Sequence, residues 1–326
     1  MNVFGTLFRV SIFGESHGAV VGITVDGCPA GIPLGEDHFL EDLNRRKAGA
    51  AGTTPRKEDD VPRIMSGVFN GFTTGAPITV LFENSNTRSA DYDKIRQVPR
   101  PGHADFVLDQ KYKGFNDHRG GGHSSGRLTV ALVAAGVIAK RVIPRIRIAA
   151  MLVEAGGSDN IEDAIARAVE EQDSIGGVVE CRAAGLPPGL GEPFFDSMES
   201  IISHAVFSIP AVKGIEFGAG FAGSRMKGSE HNDAIMNETG QTVTNHAGGI
   251  NGGISNGNEL VFRIAVKPTS STPKEQHTWS RETGKVESFT VKGRHDLCVA
   301  LRVPVVAEAV TAMSLADLLL RYRAAQ

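Results

Sequence analysis

Between Gly14 and Gly18 the chain carries Glu15, Ser16 and His17, a carboxylate, a hydroxyl and an imidazole in successive positions. The run GESHG fits the G-x-S-x-G pattern of a nucleophile elbow, which would make Ser16 an acylating nucleophile. That chemistry needs a strand before the serine, a helix after it and an oxyanion donor from an earlier loop. Here AVVGITVDG follows and alternates like a strand, and only 13 residues precede the motif. The spacing predicts a polar turn between two strands that carries His17.

Four further segments repeat the same inventory of cations, histidine, hydroxyls and glycine. RPGHAD, Arg100–Asp105, sets His103 in a Pro-Gly turn beside a cation. HRGGGHSSGR, His118–Arg127, puts three glycines and two serines ahead of a long apolar run. At a helix N-terminus such residues expose backbone N–H groups to an anion, although the same composition also makes an ordinary Ser-capped loop. KPTSST, Lys267–Thr272, ends an alternating apolar run with one cation and hydroxyls that suit phosphate.

GRHDLC, Gly293–Cys298, brings Arg, His and Asp together; on a strand His295 and Asp296 would point to opposite sides, so one of them faces a site. GGINGGISNG, Gly248–Gly257, imitates a dinucleotide fingerprint without the β-α-β unit that such a fingerprint needs. Metal-ligand spacings such as H-E-x-x-H or D-x-D-x-D-G do not occur, and no metal is expected.

The elements that must position these motifs follow from hydrophobic period. Leu7–Phe13 and Val20–Val25 read as strands, Gly35–Arg46 as a helix with Arg45, Arg46 and Lys47 at its C-terminus, and Arg63–Phe69 with Pro77–Glu83 as a strand pair. Ser124–Ile143 reads as a buried helix in which Ala131, Ala134, Ala135 and Gly136 allow close packing. Ile146–Val153 and Gly177–Ala184 are predicted strands, and Ile161–Glu171 and Met198–Phe207 predicted helices. After a Gly-rich stretch over Gly218–Gly257, Leu260–Lys267 and Ser288–Val291 resume strand character, and a last helix runs from Pro304 towards Arg321. The composition is mixed α and β, with several strand pairs close enough for antiparallel connection.

Bulk properties narrow the partners. The net charge is −3, from 34 basic and 37 acidic residues, so any anion site is a local cluster and nothing points to nucleic acid or an anionic membrane. Cys28, Cys181 and Cys298 are odd in number and far apart, which argues against a disulfide framework or zinc ribbon and fits a reducing, cytoplasmic setting. The N-terminus lacks the pattern of an export signal, and the longest uncharged helical candidate, Leu128–Ala139, has 12 residues, so a soluble protein is expected. Glycine, at 39 of 326 residues, is clustered rather than periodic and points to backbone-lined loops.

Taken together, FGESHG with VDGCPAGIPL, RPGHAD, DHRGGGHSSGR, PAVKGIEFG, NHAGGINGGISNG, KPTSS and GRHDLC resemble the chorismate synthase family. The motifs fall in family order from residue 8 to about 310. The resemblance implies an α+β fold, a β-α-β sandwich with antiparallel sheets packed around helices, in a single domain spanning residues 1–326 and assembled as a homotetramer. It implies anti 1,4-elimination of phosphate from 5-enolpyruvylshikimate-3-phosphate to give chorismate, the last step of the shikimate pathway, with reduced FMN required and no net redox change.

By that resemblance His103 protonates the departing phosphate, His17 protonates or polarises the reduced flavin, and Asp296 assists its N5 position, with Ser16 and Ser125 as relays. Flavin contacts are implied at His123, Ser124, Ser125, Pro210, Ala211, Gly252, Lys267, Pro268, Thr269, Ser270, Ser271 and Arg294. Arg45, Arg46, Arg56, Arg100, Arg127 and Arg294 are implied to hold the anions of substrate, flavin phosphate or NADP, as permanently charged guanidinium groups suit carboxylates and phosphates. The sequence departs from many members at His123 (usually Arg), Gly126 (usually Ala) and Leu297 (usually Pro). Its Gly49–Thr54 loop is shorter and lacks an Arg associated with NADP, which weakens the case for flavin reduction by NADPH within this chain.

Overall fold

Alternating apolar residues set the register of the first sheet. Val21, Ile23 and Val25 are fully buried on one face of the Val20–Asp26 strand and lie opposite Phe82, Val80 and Ile78 of the Ile78–Glu83 strand. The full order is Val3–Phe4, Arg9–Gly14, Val20–Asp26, Ile78–Glu83, Arg63–Ile64, every pair antiparallel. The structure, a computed structural model, describes residues 2–49, 51–54, 59–85, 93–291 and 295–326. A second antiparallel sheet has the order Val212–Phe217, Leu260–Val266, Gly177–Ala184, Arg147–Ala155. Its inner face is again period two, with Leu260, Phe262 and Ile264 buried opposite Ala183, Cys181 and Val179.

Two helices fill the space between the sheets. Thr129–Val142 packs on the Arg9–Gly14 and Val20–Asp26 strands, Val303–Ala324 packs on the Arg147–Ala155 and Gly177–Ala184 strands, and the helices pack on each other. The layers therefore run sheet, helix, helix, sheet, the α+β sandwich expected. Both helices are apolar around nearly the whole circumference, as a helix enclosed on all sides must be. Gly136 permits their close approach, since a methyl group there would lie 2.4 Å from the Ala309 Cα. The Val299–Ala324 segment is long and apolar enough to cross a membrane, but 89% of its most apolar window is buried, so that apolarity faces the protein's own core.

The last helix also carries buried polar groups, each with a task. Asp317, 1% exposed, accepts the backbone N–H groups of Thr6, Leu7 and Phe8 at 2.8, 2.7 and 2.9 Å, which ties the N-terminal segment to the core. Thr311 and Ser314 return their hydroxyl protons to the carbonyls of Ala307 and Val310.

Several predicted elements shift. The Ser124–Ile143 helix begins at Thr129, because Ser125 is extended and its side chain caps a tight 3-10 turn over Gly126–Leu128 that leads into the helix. Only Arg63–Ile64 of the predicted Arg63–Phe69 strand joins the sheet; Val68–Phe69 folds into its own hairpin with Phe72–Thr73, across Asn70 and Gly71 at positive φ. The strand expected at Ser288–Val291 spans Lys285–Phe289 and pairs with Gln276–Ser280 outside both sheets.

Burial also sets thiol reactivity. Desolvation pushes the Cys28 thiol to about 11 and Cys181 to about 12, and raises Cys298 as well. Since the thiolate is the reactive form, the native protein should leave a disulfide reagent such as DTNB unreacted at pH 8, with three thiols appearing on denaturation. A native thiol that titrates within minutes would contradict this packing.

Candidate active site

A cleft of about 670 Å³ opens between the first sheet, the start of the Thr129–Val142 helix and the end of the second sheet. His103, His123, Ser124, Ser125, Pro210, Ala211, Lys267, Thr269, Ser270 and Asp296, all implicated by motif, line it together. Apolar walls come from Ile12, Leu128, Leu132, Ile209 and Met313. Such a mixture of apolar wall and few polar groups suits a planar ring with a charged tail.

The glycine run is the wall between two histidines. Gly120 lies against His17 and Ser16: a methyl on it would sit 2.7 Å from both Ser16 Oγ and His17 Cδ2. Gly121 lies against the other ring, its added methyl 3.4 Å from His103 Cε1. Ser16 N–H donates to the Gly122 carbonyl at 3.1 Å, and His123 Nδ1 lies 2.7 Å from the Gly14 carbonyl oxygen, so the GESHG turn and the glycine loop are laced together. Ser16 is 2% and His17 7% exposed, and neither lines the cleft. A serine buried beneath Gly120, between two strands with no following helix, is not an elbow nucleophile.

His103 lines the cleft, and its Nδ1 lies 2.7 Å from Asp105 Oδ1. Asp105 also accepts Arg100 Nε and Nη2, both at 2.8 Å, and Arg100 Nη1 donates to Ser271 Oγ at 3.1 Å. Arg100 and Ser271 thus brace the RPGHAD turn from behind, outside the cleft. Burial alone would raise the Asp105 carboxyl, but the hydrogen bonds from Arg100 and His103 hold it far below the usual range.

Asp296 faces the cleft. Its Oδ1 accepts the Thr54 N–H at 2.8 Å and its Oδ2 accepts Arg302 Nη1 at 3.1 Å, so both oxygens are oriented. Residues 295–296 form an irregular segment rather than the expected strand; Asp296 lines the cleft and His295 does not. Lys267 Nζ donates to Ser270 Oγ at 2.7 Å, and Lys213 joins it on the cleft wall. Burial, followed by the charge of Lys213, lowers Lys267 below an ordinary lysine. Two lysines on one cleft wall make it locally positive and suited to an anion. The buried Thr269 Oγ1 has no hydrogen-bond partner in the structure, which also marks this end of the cleft as a place for a polar ligand.

The arginines predicted as anion receptors are arranged differently from the expectation. Arg45 is bound to Glu308 at 2.6 and 2.8 Å and to Asp42 at 2.9 Å, and Lys140 completes this cluster of scaffold charges. Arg46 and Arg127 share the buried carboxylate of Asp60. Arg45, Arg46, Arg100 and Arg127 thus each hold a carboxylate of the chain itself, and for the buried Arg46, Arg100 and Arg127 this supplies the counter-charge that a buried guanidinium requires. Arg56 and Arg294 lie outside the described residues. Gly252 is placed elsewhere too: it turns the Ile250–Asn251/Ile254–Ser255 hairpin with Gly253, both at positive φ, and does not line the cleft. Pro268 follows Lys267 in the chain but is not a lining residue.

Asp105, Asp60, Lys213, Arg302 and Glu308 are the functional neighbours that motif reading missed. Asp105 was legible in principle, as the last residue of RPGHAD; Glu308 lies far in sequence from Arg45 and Lys213 from Lys267, while Asp60 and Arg302 lie 14 and 6 positions from Arg46 and Asp296 with no spacing pattern that pairs them.

These ion pairs predict acid sensitivity. Asp60, Asp105 and Glu308 each have folded pKa values below their ordinary ones, because paired cations outweigh burial. Their stabilisation is therefore complete above the ordinary carboxylate range near pH 4, and is lost as pH falls through that range towards the folded values. The urea midpoint should be level from pH 7 to about 5 and fall steeply below about 4; a flat profile down to pH 3 would exclude the assignment.

A sandwich with a cleft combining paired lysines, oriented carboxylates and an imidazole defines an enzyme that acts on a small anionic molecule. A chorismate synthase family profile matches residues 8–320. A chorismate synthase of Chitinophaga pinensis is 68% identical over 321 residues, covering 98% of this chain and 97% of that protein. One from Dehalococcoides mccartyi is 46% identical over 352 residues, covering 98% and 97%. A crystal structure of chorismate synthase superposes with a TM-score of 0.75 at 26% identity, covering 97% of this chain and 93% of that one. The chain belongs to the chorismate synthase family and is accordingly a lyase, and membership implies a flavin cofactor.

Proposed function

We propose that the enzyme eliminates phosphate from 5-enolpyruvylshikimate-3-phosphate in an anti 1,4 sense to give chorismate, with reduced FMN as the required flavin. The observation that carries this reading is the single cleft lined by His103, Asp296, Lys267 and the hydroxyls of the Ser124–Ser125 and Thr269–Ser270 segments. When bound, the reduced flavin would supply electron density transiently to the substrate as its C–O bond to phosphate breaks, with no net redox change.

The chain's own residues account for the rest. Lys213 and Lys267 would hold a phosphate, and Thr269 Oγ1, which has no partner among the described residues, is a donor for the same end. His103, on the cleft wall with Nδ1 2.7 Å from Asp105 and Arg100 Nη2 3.1 Å from both ring nitrogens, is placed to pass a proton to a leaving phosphate oxygen. Asp296, aligned by Thr54 and Arg302, presents a carboxylate on the opposite charge footing to the lysines and can help take up the proton lost from the substrate ring. His17, enclosed behind Gly120, would protonate or polarise the flavin, with Ser16 and Ser125 as relays. Three buried free thiols support a reducing, cytoplasmic setting, and a homotetramer is the assembly the family resemblance supports.

The test is anaerobic incubation of the purified protein with this substrate, once with dithionite-reduced FMN and once with NADPH and oxidised FMN. Chorismate and phosphate should form in the first arm and not the second. An absence of product in the first arm at saturating substrate would refute the reading.

A further inference from the structure

We infer that Asp173 and Ser174 are positioning residues for a phosphate monoester in the cleft, fixing the Lys267–Thr272 loop so that the Thr269 hydroxyl is held at the cleft wall; this rests on the phosphate lyase reading above. Both residues follow the Ile161–Glu171 helix, and neither lines the cleft itself.

The pairing of Leu260–Val266 with Gly177–Ala184 ends where Val266 lies opposite Gly177. Pro268, two positions on, has no N–H to give, so the backbone ladder stops there. Side chains take over from it. Ser174 Oγ donates to the Thr269 carbonyl at 2.7 Å, and Thr272 Oγ1 donates to Asp173 Oδ1 at 2.9 Å. Asp173 Oδ1 also accepts the Ser174 N–H at 2.7 Å, which holds the two ties in one turn. Gly176 lets this strap lie flat on the loop, since a methyl there would sit 2.4 Å from the Val266 carbonyl oxygen and 3.2 Å from Pro268 Cδ. Between them Ile175 N–H donates to the Leu297 carbonyl at 2.9 Å, so the same strap also holds the chain next to Asp296.

The hydroxyls of the loop are thereby sorted. Ser270 Oγ donates to the Gly102 carbonyl at 2.7 Å, Ser271 Oγ accepts from Arg100 at 3.1 Å, and Thr272 is engaged by Asp173. Thr269 Oγ1 is left, buried and with no partner among the described residues, on the wall that carries Lys213 and Lys267. A hydroxyl fixed beside ammonium groups is a donor set for phosphate oxygens. Ser174 holds the carbonyl of that same residue, so a loop without this tie would present the Thr269 hydroxyl less often.

The experiment compares FMN with riboflavin, which lacks only the phosphate, by fluorescence titration of the oxidised flavins. Affinity for 5-enolpyruvylshikimate-3-phosphate is measured by calorimetry with oxidised FMN present. Ser174→Ala should weaken a phosphate-bearing ligand about three- to tenfold, the factor that corresponds to one ordinary hydrogen bond. Weaker FMN with riboflavin unchanged places the flavin phosphate at the loop, and weaker substrate with both flavins unchanged places the substrate phosphate there; either supports the inference. Ser174→Thr, which keeps the donor, should recover most of the loss. Thr269→Val combined with Ser174→Ala should bind no worse than Thr269→Val alone, because Ser174 acts through Thr269. No loss, an equal loss of FMN and riboflavin, or additive losses in the double variant overturns the inference. Should Ser174→Ala not fold, Thr272→Val removes the other tie and is held to the same phosphate-selective outcome. These bindings are independent of turnover: a wild type that binds FMN and makes no chorismate removes the lyase reading and leaves the flavin comparison standing, and one that binds neither FMN nor substrate removes both.

Discussion

Replacing His103 with alanine is expected to lower turnover by about 10²–10⁴-fold, the usual contribution of a positioned acid–base group, with flavin affinity nearly unchanged. The ring lines the cleft with Nδ1 held 2.7 Å from Asp105 and with Arg100 Nη2 3.1 Å from both ring nitrogens, so this pair sets the orientation of the ring. Asp105→Asn should reproduce part of the loss, as an amide can pair with Nδ1 but gives no charge to an imidazolium. Flavin titration by fluorescence and single-turnover rates separate the two effects. An alanine variant that keeps wild-type turnover would remove His103 from proton transfer, while one that loses flavin with its activity would recast it as a binding residue.

The second large effect concerns stability. Asp317→Ala should cost at least about 3 kcal/mol, since three backbone N–H groups lose a charged acceptor and that of the buried Phe8 cannot turn to water. The loss should appear as a lower urea midpoint with an unchanged slope if the native state stays compact. Asp317→Asn, which keeps one acceptor oxygen, should recover part of it. A midpoint within error of the wild type for the alanine variant would mean that the N-terminal segment is held by Phe8 and Val10 packing alone.

Much of the architecture was legible because period and packing agree. Val20–Asp26 alternates and is half buried; Thr129–Val142 is apolar all round and fully enclosed. What escaped was local chemistry that overrides period. The Ser125-capped 3-10 turn delays the helix start to Thr129, and Asn70-Gly71 closes a hairpin that takes Val68–Phe69 out of the sheet. Val212–Phe217 was missed as a strand because a short segment with Gly214 and two charged residues has no clear apolar face until Leu260–Val266 pairs with it.

The site divides along the same line. Residues inside motifs, such as His103, Ser125 and Lys267, were found because loops that carry chemistry are rich in glycine, histidine and hydroxyls. Their supports were not, since Arg302 reaches Asp296 from the turn just before the last helix and Glu308 reaches Arg45 across 263 positions of chain. Sequence composition also reports a cation and not its partner, which is why Arg45 read as an anion receptor without sight of Glu308 and Asp42 beside it.

The glycine wall has one further consequence. His17 and His103 lie on the side-chain sides of Gly120 and Gly121, adjacent residues of a single loop, with no side chain between ring and backbone. One short loop thus borders both proton-handling centres, so a change in its course alters the surroundings of both at once.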